Sequence, residues 1–145
     1  MLRDADLDDL GVLKVVYRRA SLSNEGDRAH LLAEPETLDY SDEWVRRGCT
    51  RVATSDGRIV GFATAVAHDE RLELEDLFVD PDWMRRGIGL ALIGDVAARA
   101  RHGGVRRIDV TANPHALSFY TAAGFVTEGP ASVRWGLAFR MRLDL

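Results

Sequence analysis

Cysteine is nearly absent: Cys49 is the only one in 145 residues. An internal disulfide and a cysteine-built zinc site are therefore excluded. The four histidines, His30, His68, His102 and His115, are scattered without metal-ligand spacing, so no metal is expected. Apolar residues nowhere run for the roughly eighteen positions that a membrane span needs. The opening MLRDADLDDL has neither the basic start nor the apolar stretch of a signal peptide. A cytoplasmic protein with no membrane partner is the expectation. Proline occurs four times, and no segment reads as a linker, a repeat or a low-complexity tract. One domain spanning residues 1–145 is expected. Lysine is as scarce as cysteine: among nineteen bases only Lys14 is a lysine.

The net charge of −4 argues against nucleic acid as a partner. That charge is unevenly spread. Residues 1–45 hold eleven acids and five bases, whereas residues 46–145 hold twelve acids and fourteen bases. Either the acids solvate N-terminal helices, or one half of the chain favours a cation and the other an anion.

Leu7, Leu10, Leu13 and Val16 recur at helical spacing behind acids in a first turn, predicting a helix over Asp6–Ala20. Glu25–Ala33 and Ser41–Arg47 read as shorter helices, the second capped by Ser41. The pattern then changes. Arg51–Thr54 and Arg58–Ala67 flank Ser55-Asp56-Gly57, a hairpin signal, because Asp-Gly supplies the positive φ angles of a tight turn. After His68-Asp69-Glu70 comes a third strand, Arg71–Val79. A helix over Ile88–Arg101 ends at Gly103-Gly104. Val105–Ala112 is a strand, and Pro114–Ala123 a short helix with proline at its first position. Phe125–Thr127 starts a strand, Glu128–Ser132 reads as a loop, and the alternation of Val133, Trp135, Leu137, Phe139, Met141 and Leu143 predicts a last strand with one buried face. This order fits an α/β (α+β) domain with a mixed sheet and helices on both faces.

Between the third strand and the following helix lies Asp80-Pro-Asp-Trp-Met-Arg-Arg-Gly-Ile-Gly89. The first N–H groups of a helix lack internal partners, and the helix dipole favours an anion there. Gly87 and Gly89 let the backbone approach a guest closely. Arg85 and Arg86 add fork-shaped donors for phosphate oxygens. Gly-x-Gly alone also describes a turn that binds nothing. No Gly-x-x-x-x-Gly-Lys-Ser/Thr is present, which excludes a nucleoside-triphosphate loop. A dinucleotide fingerprint asks for a third glycine.

The stretch VDPDWMRRGIGLAL resembles motif A of the GNAT-superfamily N-acetyltransferases, Gln/Arg-x-x-Gly-x-Gly/Ala, which opens the helix beneath the CoA pyrophosphate. Met84 stands where that signature has Gln or Arg, which implies a weakened grip rather than a lost one. Asn113-Pro-His-Ala-Leu-Ser-Phe-Tyr-Thr-Ala-Ala-Gly-Phe125 resembles motif B, and Leu2–Leu10 resembles the usual opening with a short first strand. The resemblance implies a GNAT-like fold: a mostly antiparallel sheet of about six or seven strands, splayed at its centre. It implies acetyl-CoA as co-substrate and transfer of the acetyl group to a primary amine of a small molecule or peptide. The implied cofactor-binding residues are Leu77, Phe78, Val79, Arg85, Arg86, Gly87, Ile88, Gly89, Leu90, Asn113 and Tyr120. It also allows a homodimer through the terminal strands.

Acetyl transfer needs a neutral amine, a polarised thioester and a proton for the leaving thiolate. In the third strand Leu72 and Leu74 share one phase and Leu77 and Val79 the other, so an extra residue near Glu75–Asp76, a β-bulge, is expected. Glu73, Glu75 and Asp76 lie there as candidate bases, with Glu75 leading and Glu73 second. Each also reads as a solvated or arginine-paired acid. Tyr120 is the candidate acid by resemblance, or a core aromatic. Asn113 binds pantetheine, caps the next helix, or both. Two rival readings are a non-catalytic acyl-CoA-binding module and a binder of ATP or a dinucleotide.

Overall fold

The computed structural model describes residues 1–33, 40–133 and 136–145. In chain order the elements are β1 (Leu2–Asp4), α1 (Leu10–Leu22), α2 (Glu25–Ala33), α3 (Glu43–Arg46), β2 (Thr50–Ser55), β3 (Arg58–His68), β4 (Arg71–Val79), α4 (Ile88–His102), β5 (Arg107–Ala112), α5 (Leu117–Ala122), β6 (Val126–Val133) and β7 (Gly136–Asp144). The strands form one seven-stranded mixed sheet in the order β1-β2-β3-β4-β5-β7-β6. The pairs β1–β2, β2–β3, β5–β7 and β6–β7 are antiparallel, and β4–β5 is parallel. The expected α/β fold is therefore present.

The chain groups into two compact units, Met1–Thr64 with Asp76–Leu92, and Ala65–Glu75 with Ile93–Leu145. In the first unit, Leu13 and Val16 of α1 pack with Tyr40, Val45, Val52, Ile59 and Phe62 in one buried cluster. Leu13, Val52 and Phe62 are fully enclosed, and each such burial is worth about 1.5–3 kcal/mol. The next-door residue on β3, Gly61, points the other way. A Cβ there would stand 3.0 Å from Phe78 O, 3.2 Å from Ile88 Cγ2 and 3.4 Å from Leu92 Cδ1. Alternation along β3 thus puts α1 over one face and α4 over the other, and only glycine admits α4 this closely.

The predicted first helix is in two pieces. Leu7–Asp9 is a single 3-10 turn, capped by Asp6, whose carboxylate accepts from Asp8 N while Asp9 accepts from Asp6 N. The regular helix begins only at Leu10, and it runs two residues past Ala20. The hairpin expected at Ser55-Asp56-Gly57 is present, with φ of 51° at Asp56 and 78° at Gly57.

In the second unit, the parallel ladder runs from Arg71↔Arg107 to Leu74↔Val110, while β5 continues against β7 to Ala112↔Phe139. The C-terminal reading needs correction. Glu128–Ser132 is not a loop but the middle of β6, and Val133 ends β6 rather than starting the last strand. Arg134 and Trp135 lie outside the described residues. The sequence alternation had read through a hairpin as one strand. Strand β6 was hidden because it lies at the sheet edge, carries Gly129 (φ 152°) and Pro130, and shifts register at Thr127/Gly129. The predicted buried face is also incomplete: Leu137 is 53% exposed, while Ala138 and Met141 are fully enclosed. Both faces of β7 are covered along part of its length, so strict alternation fails there.

Candidate functional site

The first unit carries the turn between β4 and α4. Asp80 caps a 3-10 turn over Pro81–Trp83, its Oδ1 accepting from Asp82 N at 3.0 Å. Arg19 of α1 reaches the same turn, lying 3.4 Å from Asp80 Oδ1 and 3.0 Å from Asp82 Oδ2. Both carboxylates are thereby occupied. Arg85 then takes φ 63° and Gly87 φ 82°. The left-handed conformation is routine for glycine and costs an arginine about 1 kcal/mol. Gly87 O accepts the helical bond from Ala91 N at 2.9 Å, so α4 opens directly after the turn.

Helix α4 has no acid in its first turn, but Arg99, Arg101 and His102 in its last. Its C-terminal partial charge is complemented and its N-terminal one is not. Arg86 lies over Trp83, with Cζ 4.7 Å from the ring centroid, and Arg85, Arg86 and Gly87 are exposed. Backbone donors at Ile88, Gly89 and Leu90, with two arginines beside them, suit an anion with several oxygens. Met84 is 43% exposed.

The same unit carries the second half of β4. The Asp76 side chain is half-buried. Its Oδ2 accepts from Tyr40 Oη at 2.8 Å. Tyr40 Oη lies 3.1 Å from Thr64 Oγ1, which lies 3.1 Å from Thr50 Oγ1. A phenol has one proton, and here it goes to Asp76. Thr64 lies within reach of both the phenol oxygen and the carboxylate, and its one proton serves one of them at a time. Burial pushes Asp76 above the usual carboxylate range, and the Thr64 and Tyr40 hydroxyls hold it back. Burial likewise pushes the Tyr40 and Tyr17 phenols up, and the Asp76 charge adds to both shifts. The Tyr40 ring belongs to an aromatic cluster. Tyr17 meets Phe78 edge-on at 5.0 Å and Tyr40 at 5.4 Å, and Phe62 meets Tyr40 at 5.3 Å.

In the second unit, Glu73 is held by Arg140 in a two-pronged pair at 2.8 and 2.9 Å, and by Arg71 at 3.1 Å. Asp109, 1% exposed, lies 3.2 Å from Arg71, 3.3 Å from Arg107 and 3.9 Å from Arg140. Its Oδ1 is buried and, among the described residues, has no hydrogen-bond partner, so its desolvation is offset at Oδ2, by the Arg71 hydrogen bond and the guanidinium charges. Tyr120 is buried between Phe119 and Phe125, each ring centroid at 5.2 Å, and burial pushes its phenol up. Asn113 precedes the turn Pro114–Ala116 in extended geometry, and its side chain makes no capping bond. Of the two readings for that amide, capping is therefore not realised.

Sequence reading ranked Glu75 and Glu73 ahead of Asp76. The structure instead puts Glu73 among arginines and leaves Glu75 exposed. It joins Asp76 to a chain of hydroxyls from Tyr40, Thr64 and Thr50. One signal was available: Asp76 is flanked two residues either way by Leu74 and Phe78, an acid on an apolar phase. Nothing in the sequence pointed to Tyr40, Thr64 or Arg19, which come from distant segments.

The family model of the acetyltransferase (GNAT) domain matches residues 46–145. This chain belongs to that family. It is similar to the mycothiol acetyltransferase of Propionibacterium freudenreichii, 31% identical over 131 residues that cover 85% of this chain and 41% of that protein. It is also similar to an uncharacterized N-acetyltransferase of Mycobacterium tuberculosis, 35% identical over 88 residues, 58% of this chain and 56% of that protein. The chain thus spans about half the length of these curated relatives. A PaiA N-acetyltransferase of Thermoplasma acidophilum, solved in complex with coenzyme A, shares the fold at a TM-score of 0.83 and 19% identity, over 100% of this chain and 98% of that one. Among the described residues no helix is long and apolar enough to cross a membrane, and no three His, Cys, Asp or Glu side chains gather as metal ligands.

Proposed function

We propose that this chain moves an acetyl group from acetyl-CoA directly to a primary amine of a small molecule or peptide. The observation that carries this reading is the turn Arg85–Gly87 opening α4: paired arginines, left-handed backbone and a helix N-terminus without an acid of its own. A pyrophosphate answers each of these features. Leu77, Phe78 and Val79 would hold the pantetheine arm and the acetyl group through their main chain, and the uncapped Asn113 amide would bind the arm. The relatives named N-acetyltransferases and the neighbour crystallised with coenzyme A support the same co-substrate.

The chemistry then divides between two side chains. The acceptor arrives as an ammonium and gives one proton to Asp76, whose raised affinity for protons makes it a better base than an exposed carboxylate. The amine lone pair attacks the thioester carbon. The C–N bond forms, the C–S bond breaks, and the thiolate takes a proton from Tyr120. Burial keeps that phenol protonated at neutral pH. The second proton leaving nitrogen restores Tyr120 through solvent, and Asp76 returns its proton to water. The products are an amide, CoA thiol and one proton.

Calorimetric titration with acetyl-CoA, with ATP and NAD as controls, tests the co-substrate. Micromolar binding of acetyl-CoA alone is expected. Binding of ATP or NAD in preference to acetyl-CoA overturns the reading. Thiol release that depends on added amine tests turnover, and acetyl-CoA binding without it across a broad amine panel would identify a non-catalytic acyl-CoA module.

A further inference from the structure

Several buried or half-buried acids among the described residues share one pattern, from which Asp76 departs. Asp9 is paired with Arg3 at 2.8 Å, Asp80 with Arg19, Glu73 with Arg140, and Asp109 with Arg71 and Arg107. Asp76 is half-buried as well, yet among the described residues no arginine or lysine pairs with it or acts on its charge. Its partners are hydroxyl groups, and the ring of one of them, Tyr40, packs on Tyr17, which in turn meets Phe78 edge-on and feels the Asp76 charge. A desolvated carboxylate without a counter-ion is costly unless a cation arrives from outside. Aromatic walls add favourable contact for an ammonium group.

Building on the acetyltransferase reading, we propose that Asp76, Tyr17, Tyr40 and Phe78 form the acceptor's recognition site, and that they select an ammonium group not flanked by a carboxylate. A free amino acid carries its carboxylate within about 4 Å of its nitrogen. Docked on Asp76, that second negative charge would meet the first with no guanidinium to separate them, and like charges so placed cost affinity steeply. Arylalkylamines, alkyl diamines and peptide N-termini present the ammonium without this penalty. The substrate class is therefore a decarboxylated or carboxyl-blocked amine, and Asp76 is its specificity determinant as well as its base.

Phenylalanine, phenylalaninamide and phenethylamine share one side chain and differ only beside the nitrogen. Assayed as acceptors with saturating acetyl-CoA, phenethylamine is expected to exceed phenylalanine in kcat/KM by about tenfold or more. Activity on the amide extends the class to peptide N-termini. Asp76→Asn is expected to remove both the activity and the preference while acetyl-CoA binding is retained and Tm does not fall. Tyr17→Leu, which keeps the charge, is expected to weaken both acceptors severalfold and leave the preference intact. The same three compounds titrated calorimetrically into the CoA-loaded protein give a readout independent of turnover. Amine binding that needs Asp76, without acetyl transfer, would support this site while overturning the enzymatic reading. Phenylalanine used or bound as well as phenethylamine, or a preference that survives Asp76→Asn, overturns the proposal.

Discussion

Glu73 and Asp76 lie three residues apart on one strand and meet opposite treatment. Glu73, in the second unit, is gripped by Arg140 and Arg71 beside an Asp109 that three arginines surround. Asp76, in the first unit, is met by the Thr64 and Tyr40 hydroxyls and by no cation among the described residues. The α4 N-terminus is the mirror case, a positive end with no acid in its first turn. Where charge is matched inside the protein, it holds strands β4, β5 and β7 together. Where it is left unmatched, it is available to a guest, a cation at Asp76 and an anion at the turn.

The sharpest way to break this contrast is at Asp109. Asp109→Ala removes the carboxylate that three guanidiniums share and should cost about 1–3 kcal/mol, read as a lowered urea midpoint. A variant as stable as the wild type would mean that Glu73 and solvent already satisfy the arginines. At the turn, Gly87→Val forces a β-branched residue to φ 82° and blocks the approach of a pyrophosphate. Acetyl-CoA affinity should fall by about tenfold or more, with a stability loss of only about 1–3 kcal/mol. Unchanged affinity would move the cofactor away from this turn.

The smallest effect has the most telling sign. Because Asp76 is raised above its unfolded value, its contribution favours the fold below the unfolded pKa and is lost as pH rises through the folded one. At neutral pH the ionised group therefore opposes folding. Asp76→Asn should raise Tm by a few degrees at pH 7, on the order of 1 kcal/mol, and gain little near pH 4. Scanning calorimetry at both values checks this, and a variant less stable at pH 7 would show that the carboxylate is compensated after all. The hydroxyls that hold Asp76 down supply the companion test. Tyr40→Phe removes one of them, so the acid limb of kcat/KM should move to higher pH, with activity recovered in alkaline buffer.

The fold was largely legible from residues 50–125, where turns, periodicity and the two motifs agree. The Asp-Gly hairpin, the strand Arg71–Val79 and the helix from Ile88 stand where alternation and glycine placed them. The edge strand β6 was not legible, because Gly129 and Pro130 give it the look of a loop. At the candidate site, the anion-binding turn is local in sequence, so strand, arginines and glycines could be read together. The carboxylate site is not local. It joins Tyr17, Tyr40, Thr50, Thr64 and Asp76 from four separate elements and one connecting segment, and hydrogen bonds of that kind leave no spacing to read.

The most direct test is steady-state CoA thiol release from acetyl-CoA with phenethylamine, compared in the wild-type protein, Glu73→Gln and Asp76→Asn. The account predicts amine-dependent turnover that Glu73→Gln retains within a fewfold. Asp76→Asn should lose about a hundredfold or more in kcat/KM, with acetyl-CoA binding intact. Equal losses in the two variants, or full activity in Asp76→Asn, would contradict it.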